Sequence, residues 1–142
     1  MAGPKDATAA ALFRLSVPCD LRRVRGAVQQ TRRFLTEQDC ADKEIMDCEL
    51  ALTEACNNAV EYASPQARSQ PFLVETTCSP CEIEMRITDQ TPGFEWPQTP
   101  NLPGPESEHG RGLYLIRTLM EHSEYIRGTS SNVLVLRKRR CI

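Results

Sequence analysis

Residues 92–105 hold five prolines and two glycines and show almost no apolar periodicity. Proline locks one backbone dihedral and lacks the N–H that helices and strand ladders use, so neither element persists across such a stretch. A long surface loop therefore divides the chain. Inside a compact domain a loop of this length is uncommon unless it serves as a lid or binding segment, which makes the residues at its two ends the first candidates for function.

On either side of the loop the apolar pattern is regular. Phe13, Leu15 and Val17 alternate with Arg14 and Ser16 before Pro18, which predicts a short strand. Asp20 is placed to cap a helix running to about Gln38, with Leu21, Val24, Val28, Thr31 and Leu35 recurring at three- and four-residue steps. A second helix begins near Asp39 or Asp42 and runs to about Ala63, with Ile45, Cys48, Leu52, Ala55 and Ala59 on its buried side. Residues 72–77 and 83–88 form a hairpin around the turn Cys78-Ser79-Pro80-Cys81. After the loop come a helix over residues 112–121 and two strands near 123–127 and 132–138. This order predicts an α+β two-layer sandwich, with helices on one face of a mixed, mostly antiparallel sheet. Residues 1–11 lack useful periodicity and are expected to form a mobile arm, leaving 12–142 as one folded domain.

Composition narrows the class. A length of 142 residues suits one domain, and 40% hydrophobic with 25% charged residues sits near globular averages. The formal net charge of −2 gives no reason to expect a nucleic acid as the main partner. The basic run Arg137, Lys138, Arg139, Arg140 reads as a solubilising, edge-protecting end to a terminal strand. No segment is long and apolar enough for a membrane helix, and a cytoplasmic location is expected. Seven cysteines, some at helix-periodic positions such as Cys48 and Cys56, suggest buried thiols in a reducing compartment without a structural disulfide. Cys78 and Cys81 have the spacing of a metal or redox pair, but a structural zinc site needs four ligands and the sequence holds no second such pair.

Three short motifs carry chemistry. In the second helix Glu54, Asn58 and Glu61 fall on one stripe, a polar line in an otherwise apolar helix. An amide oxygen there can ligate Mg²⁺ without adding charge, and a carboxylate one turn away can polarise a hydroxyl; the alternative is a solvated face. Asp89-Gln90-Thr91-Pro92-Gly93-Phe94 ends a strand at the entrance to the loop. Its carboxylate can accept from an exocyclic amine, or the segment is a plain turn. Glu108-His109-Gly110-Arg111-Gly112-Leu113 closes the loop and opens a helix, where free backbone N–H groups and the helix dipole favour phosphate.

Glu54-x-x-x-Asn58-Ala59, Asp89-x-x-x-Gly93-Phe94 and Gly110-Arg111-Gly112-Leu113, in this order, resemble the nucleotide-binding domain of the gyrase, histidine-kinase and mismatch-repair ATPases. The run from His109 to Met120 is especially similar to the anti-sigma-factor serine kinases. The resemblance implies the ATP-binding fold of that superfamily over residues 12–139. It implies that Asn58 ligates Mg²⁺, Glu54 is the general base, Asp89 binds the adenine amino group and Gly93 lines the base pocket. Gly110, Arg111, Gly112 and Leu113 would hold the phosphates. It further implies an ATP-dependent serine-protein kinase that phosphorylates an anti-anti-sigma (STAS-domain) protein, sequesters a sigma factor and forms a homodimer. A non-catalytic ATP-binding switch of the same fold is the alternative. Two positions depart from the pattern: Thr91 replaces the first glycine of D-x-G-x-G, followed by the rigid Pro92, and Tyr62 stands where histidine is frequent. Gly128 and Thr129 are candidates for a late adenine contact that the spacing leaves unassigned.

Overall fold

The computed structural model describes residues 10–90 and 108–140, with side chains in the second stretch from Gly112 onward. Residues 1–9 of the arm expected over 1–11, Gly93 and the whole loop over 92–105 therefore lie outside the described residues, while Ala11, expected in the arm, opens the first strand. Strand β1 spans Ala11–Val17, followed by helices α1 (Leu21–Glu37) and α2 (Asp42–Glu61). A short 3-10 turn at Ala67–Ser69 leads into β2 (Phe72–Cys78) and β3 (Glu82–Gln90). Helix α3 (Glu108–Leu119), β4 (His122–Arg127) and β5 (Ser131–Arg139) complete the chain.

Local chemistry sets the helix ends. The Asp20 carboxylate accepts from the Arg22 backbone N–H at 2.9 Å, capping α1 as its position in the sequence predicts. Asp39 takes the left-handed conformation, φ 59°, where the chain turns out of α1, and α2 begins at Asp42. There the Glu44 carboxylate accepts from the Ala41 N–H at 2.8 Å, and Asp42 and Glu44 complement the positive end of the helix dipole. Each buried position expected on α2 is buried. On α1 the expected apolar face holds except at its first residue. Leu21 is 51% exposed, because it sits at the helix end beyond the sheet, while Ala27 and Phe34 fill the buried stripe.

The strands form one sheet in the order β1-β2-β3-β5-β4. The expected mixed, mostly antiparallel sheet proves antiparallel at each of these pairings. The side chains of Val74, Ile83, Met85, Ile87, Leu134 and Leu136 meet Leu35, Cys48, Leu52 and Ile116 from the helices in the core. Helix α2 packs against both α1 and α3 and so lies in the middle of its layer. Among the described residues, no helix is long and apolar enough to cross a membrane.

The basic run does not end an edge strand. β5 lies between β3 and β4, so a charge there serves pairing instead of edge protection. Arg137 Nε donates to Glu84 at 2.9 Å on the open face of the sheet. Lys138, on the helix face, reaches the buried Asp47 of α2 at 2.9 Å and the Leu119 carbonyl at 2.7 Å.

Candidate ATP site

In the polar stripe of α2, Glu61 is exposed but Glu54 and Asn58 are not on a solvated face. Asn58 is 3% exposed and its amide nitrogen has no hydrogen-bond partner. A buried amide N–H left unpaired costs roughly 1–3 kcal/mol, so its presence points to an acceptor such as a phosphate oxygen that completes it, while a metal could take only the oxygen of the same amide. Glu54, one turn earlier, is half-buried; burial raises its carboxyl above the ordinary value and the negative charge of Glu61 adds to the rise. A carboxyl shifted this way is a stronger proton acceptor than an exposed one, provided it is ionised.

Helix α3 delivers the third motif to the same place. A β-carbon at Gly112 would lie 2.7 Å from Glu54 Oε2, so a glycine lets the α3 backbone pass this close with the carboxylate left where it stands. The helix starts at Glu108, four residues before the expected Gly112, and both Gly110 and Gly112 are helical. The glycines therefore do not precede the helix. Gly112 was legible as a special position, but its steric reason is the crossing with α2, which the linear pattern does not contain. Residues 108–111 are the first four of the helix, whose N–H groups have no acceptor within it, and these include Gly110 and Arg111. Leu113 is buried just beyond.

Asp89 sits near the end of β3, 8% exposed. Asn132 Nδ2 donates to its Oδ1 at 2.9 Å, and the Tyr125 hydroxyl donates to the same carboxylate at 3.2 and 3.1 Å. Burial pushes the Asp89 carboxyl up, against the pull of these two donors, which favour the charged form. Asp89 and Gln90 share a narrow cleft with Ala59 from the last turn of α2 and with Tyr62 and Ala63, which directly follow the helix. Sequence reasoning missed Tyr125 and Asn132. One signal was present for Asn132: it is a polar residue in step with Leu134 and Leu136, the inward positions of β5, and it faces Asp89 in the strand register. Tyr125 carried no such signal, because its reach depends on the β4–β5 pairing. The Gly128 N–H approaches Asn132 Oδ1 at 3.4 Å, so this turn supports the Asp89 partner instead of facing a ligand by itself.

The structure thus brings Glu54, Asn58, Gly112 and Leu113 together and places Asp89 on a cleft shared with the same helix. Among the described residues, no group of three or more His, Cys, Asp or Glu side chains could hold a metal. An Mg²⁺ site built on Asn58 would not need one, since Mg²⁺ is commonly held by one or two protein ligands together with phosphates and water.

Comparison with known proteins agrees with this geometry. The histidine kinase-like ATPase domain matches residues 17–138. The serine-protein kinase RsbW of Bacillus subtilis (strain 168) is 31% identical, covering 55% of this chain and 54% of that protein. RsbW of Bacillus pumilus (strain SAFR-032) is 30% identical, covering 58% and 57%. The chain thus spans about half the length of these curated relatives. Among solved structures, the RsbU and RsbW domains of Rv1364c from Mycobacterium tuberculosis superpose with a TM-score of 0.71 at 18% identity, over 92% of this chain and 32% of that one. The SiaB-SiaC complex from Pseudomonas aeruginosa superposes with a TM-score of 0.61 at 13% identity, over 89% of each chain. With the domain match running from the last residue of β1 nearly to the end of β5, this chain belongs to the histidine kinase-like ATPase domain family.

Proposed function

We propose that this chain is an ATP-dependent protein-serine kinase that works as a partner switch, phosphorylating an anti-anti-sigma (STAS-domain) protein and, in its other state, sequestering a sigma factor. The observation that carries the reading is the pairing of an unpartnered buried amide, Asn58, with a half-buried carboxylate, Glu54, one helical turn away. A domain that only bound nucleotide would need the first and not the second. The RsbW relatives, named serine-protein kinases, support the reaction class, and the complex described for SiaB supports a protein partner. In this reading the chain would act in the cytoplasm as a homodimer.

Bound Mg-ATP supplies the phosphoryl group. Asn58 offers a neutral oxygen to the metal, Asp89 accepts from the adenine amino group, and Gly93 lines the base pocket. Gly110 and Arg111 would hold the phosphates through the free N–H groups at the start of α3, with Gly112 and Leu113 directly behind them setting how closely that turn approaches α2. Glu54 would take the proton from the serine hydroxyl of the partner as that oxygen bonds to the γ-phosphorus, the bond from that phosphorus to its bridging oxygen breaks and ADP leaves, and Glu54 later returns the proton to solvent. Burial of Glu54 suits this task, because it raises proton affinity without removing the carboxylate from the crossing of α2 and α3.

Thr91 and Pro92, at the slot where the family pattern has a glycine, favour the second reading, a nucleotide-binding switch without phosphate transfer. Incubating the chain with MgATP and the STAS-domain proteins of the same cell, followed by phosphoserine mapping, separates the two. The kinase reading predicts a single modified serine on one partner, lost with Asn58→Ala. Tight binding of ATP and partner without phosphoserine would leave the switch.

A further inference from the structure

The Cys78-Ser79-Pro80-Cys81 turn has no role in the ATP site, and its first cysteine is not paired with its second. Cys78 Sγ lies 3.6 Å from Cys40 Sγ, across 38 residues of sequence, and both thiols are buried and free. Two features place them there. Cys40 is fixed by the close of α1, its N–H donating to the Leu35 carbonyl at 3.2 Å after the left-handed Asp39. Cys78 is the last residue of β2, directly before the exposed Pro80 and Cys81.

Arg140 joins the two sides. Its Nη1 donates to Cys78 Sγ at 3.4 Å and to the Ser79 carbonyl at 2.9 Å. Its Nη2 donates to the Gln38 and Asp39 carbonyls at 3.2 and 3.1 Å, at the entrance to Cys40. The guanidinium is largely buried, with Glu44 3.8 Å from Nε. A guanidinium donating to a sulphur fixes that sulphur's position and sets positive charge beside it. Among the described residues Arg140 donates to the sulphur of Cys78 and not to that of Cys40, and burial together with the neighbouring Cys78 outweighs the Arg140 charge and pushes the Cys40 thiol up to about 12. The two sulphurs are therefore unequal: Cys78 is suited to react first and Cys40 to resolve.

We propose that Cys40 and Cys78 form an oxidisable dithiol, with a small hydroperoxide as oxidant, Cys78 the attacking sulphur and Cys40 the resolving one. Cys78, having released its proton to solvent, attacks one oxygen of hydrogen peroxide. The S–O bond forms, the O–O bond breaks and hydroxide leaves, taking a proton from solvent to become water. Cys40 then attacks the Cys78 sulphur; the S–S bond forms, the S–O bond breaks, and the departing hydroxide takes the Cys40 proton. In sum two thiols and one peroxide give one disulfide and two waters, the sulphurs losing two electrons that the peroxide gains. The sulphurs need to close by only about 1.5 Å to reach bonding distance. The low exposure of Cys78 admits a small oxidant in preference to a bulky disulfide, and the adjacent exposed turn is its route of entry.

The bond would tie the α1–α2 junction to the far end of β2. Because β2 and β3 run antiparallel, that end is opposite Asp89, so oxidation would brace the layer contact without entering the ATP site. This inference stands apart from the kinase reading. The test is to expose the full chain, fully reduced, to a few-fold excess of hydrogen peroxide, alkylate remaining thiols, digest without reductant and map linked peptides by mass spectrometry. A Cys40–Cys78 linked peptide is expected, with a melting temperature roughly 5–10 °C above the reduced chain that reverts on reduction. In Cys40→Ser the reaction should stop at a Cys78 sulfenic acid that a dimedone probe captures. A link from Cys78 to Cys81 or to any other cysteine overturns the proposal. So does recovery of Cys40 and Cys78 as alkylated thiols from wild-type chain in which Cys81 has been oxidised, a result that requires no variant to fold.

Discussion

At Gly112 a β-carbon would meet Glu54 Oε2 at 2.7 Å, yet the obstructing atom is the tip of a flexible side chain. Gly112→Ala therefore resolves the clash by turning the carboxylate aside, and the gain in helix propensity, about 1 kcal/mol, offsets the local repacking. The expected outcome is a melting temperature within a few degrees of wild type and a transfer rate lower by at least about 10-fold, with little change in KM for ATP. Steady-state kinetics beside a thermal melt checks it, and an unchanged kcat would show that the Glu54 position does not matter to the chemistry. The identities of Glu54, Asn58 and Asp89 were readable from the sequence because polar residues interrupt apolar patterns there. The unpaired state of the Asn58 amide and the donation of Tyr125 and Asn132 to Asp89 were not, since they depend on how the helix layer and the strand register fall.

Among the elements, β5 departs furthest from what its sequence suggests. Its basic residues have the look of a solubilising tail, but β5 is an interior strand and Lys138 is directed at α2. Burial alone would raise the Asp47 carboxyl, and the bonds from Lys138 and Lys43 outweigh it, holding the group below its ordinary 3.8. Burial alone would lower Lys138, and Asp47 outweighs it, holding the ammonium above 10.5. The lowered acid contributes stability that is present above 3.8 and lost as pH falls through its folded value; the raised base contributes stability present below 10.5 and lost as pH rises through its own. Asp47→Ala leaves Lys138 buried with the Leu119 carbonyl and the more distant Glu121, and is expected to cost about 2–4 kcal/mol. Urea unfolding of both chains from pH 2 to 11 should show the gap widest between the two limits and closing outside them. A gap that did not depend on pH would mean that the loss is one of packing. The helices and the hairpin were legible because period and turn chemistry are local. The place of β5 between β3 and β4 was not, because the order of strands is decided by long-range pairing.

In the whole molecule, α2 is the element on which both layers and the candidate site depend. Its buried face supplies core to the sheet, its flank carries Glu54 and Asn58 toward α3, and its last turns meet the end of β3 at the Asp89 cleft. The α+β architecture followed from the order of periodic segments, and the family followed from three motifs whose convergence the fold supplies. The proposed phosphate-holding role of Gly110 and Arg111 and the proposed base-lining role of Gly93 are read from the motif pattern.

The most direct measurement is radiolabel transfer from ATP to the STAS-domain partner by wild type and Glu54→Gln, run across pH beside nucleotide binding on the same two proteins. Glutamine keeps size and hydrogen bonding but cannot accept the proton, so transfer should fall by roughly 10²–10⁴-fold while MgATP affinity persists. Because burial raises the Glu54 carboxyl, wild-type kcat should rise with pH through an inflection above 4.5, and that limb should vanish in the variant. Transfer by Glu54→Gln at the wild-type rate, with the same pH profile, would contradict the assignment of Glu54 as the base.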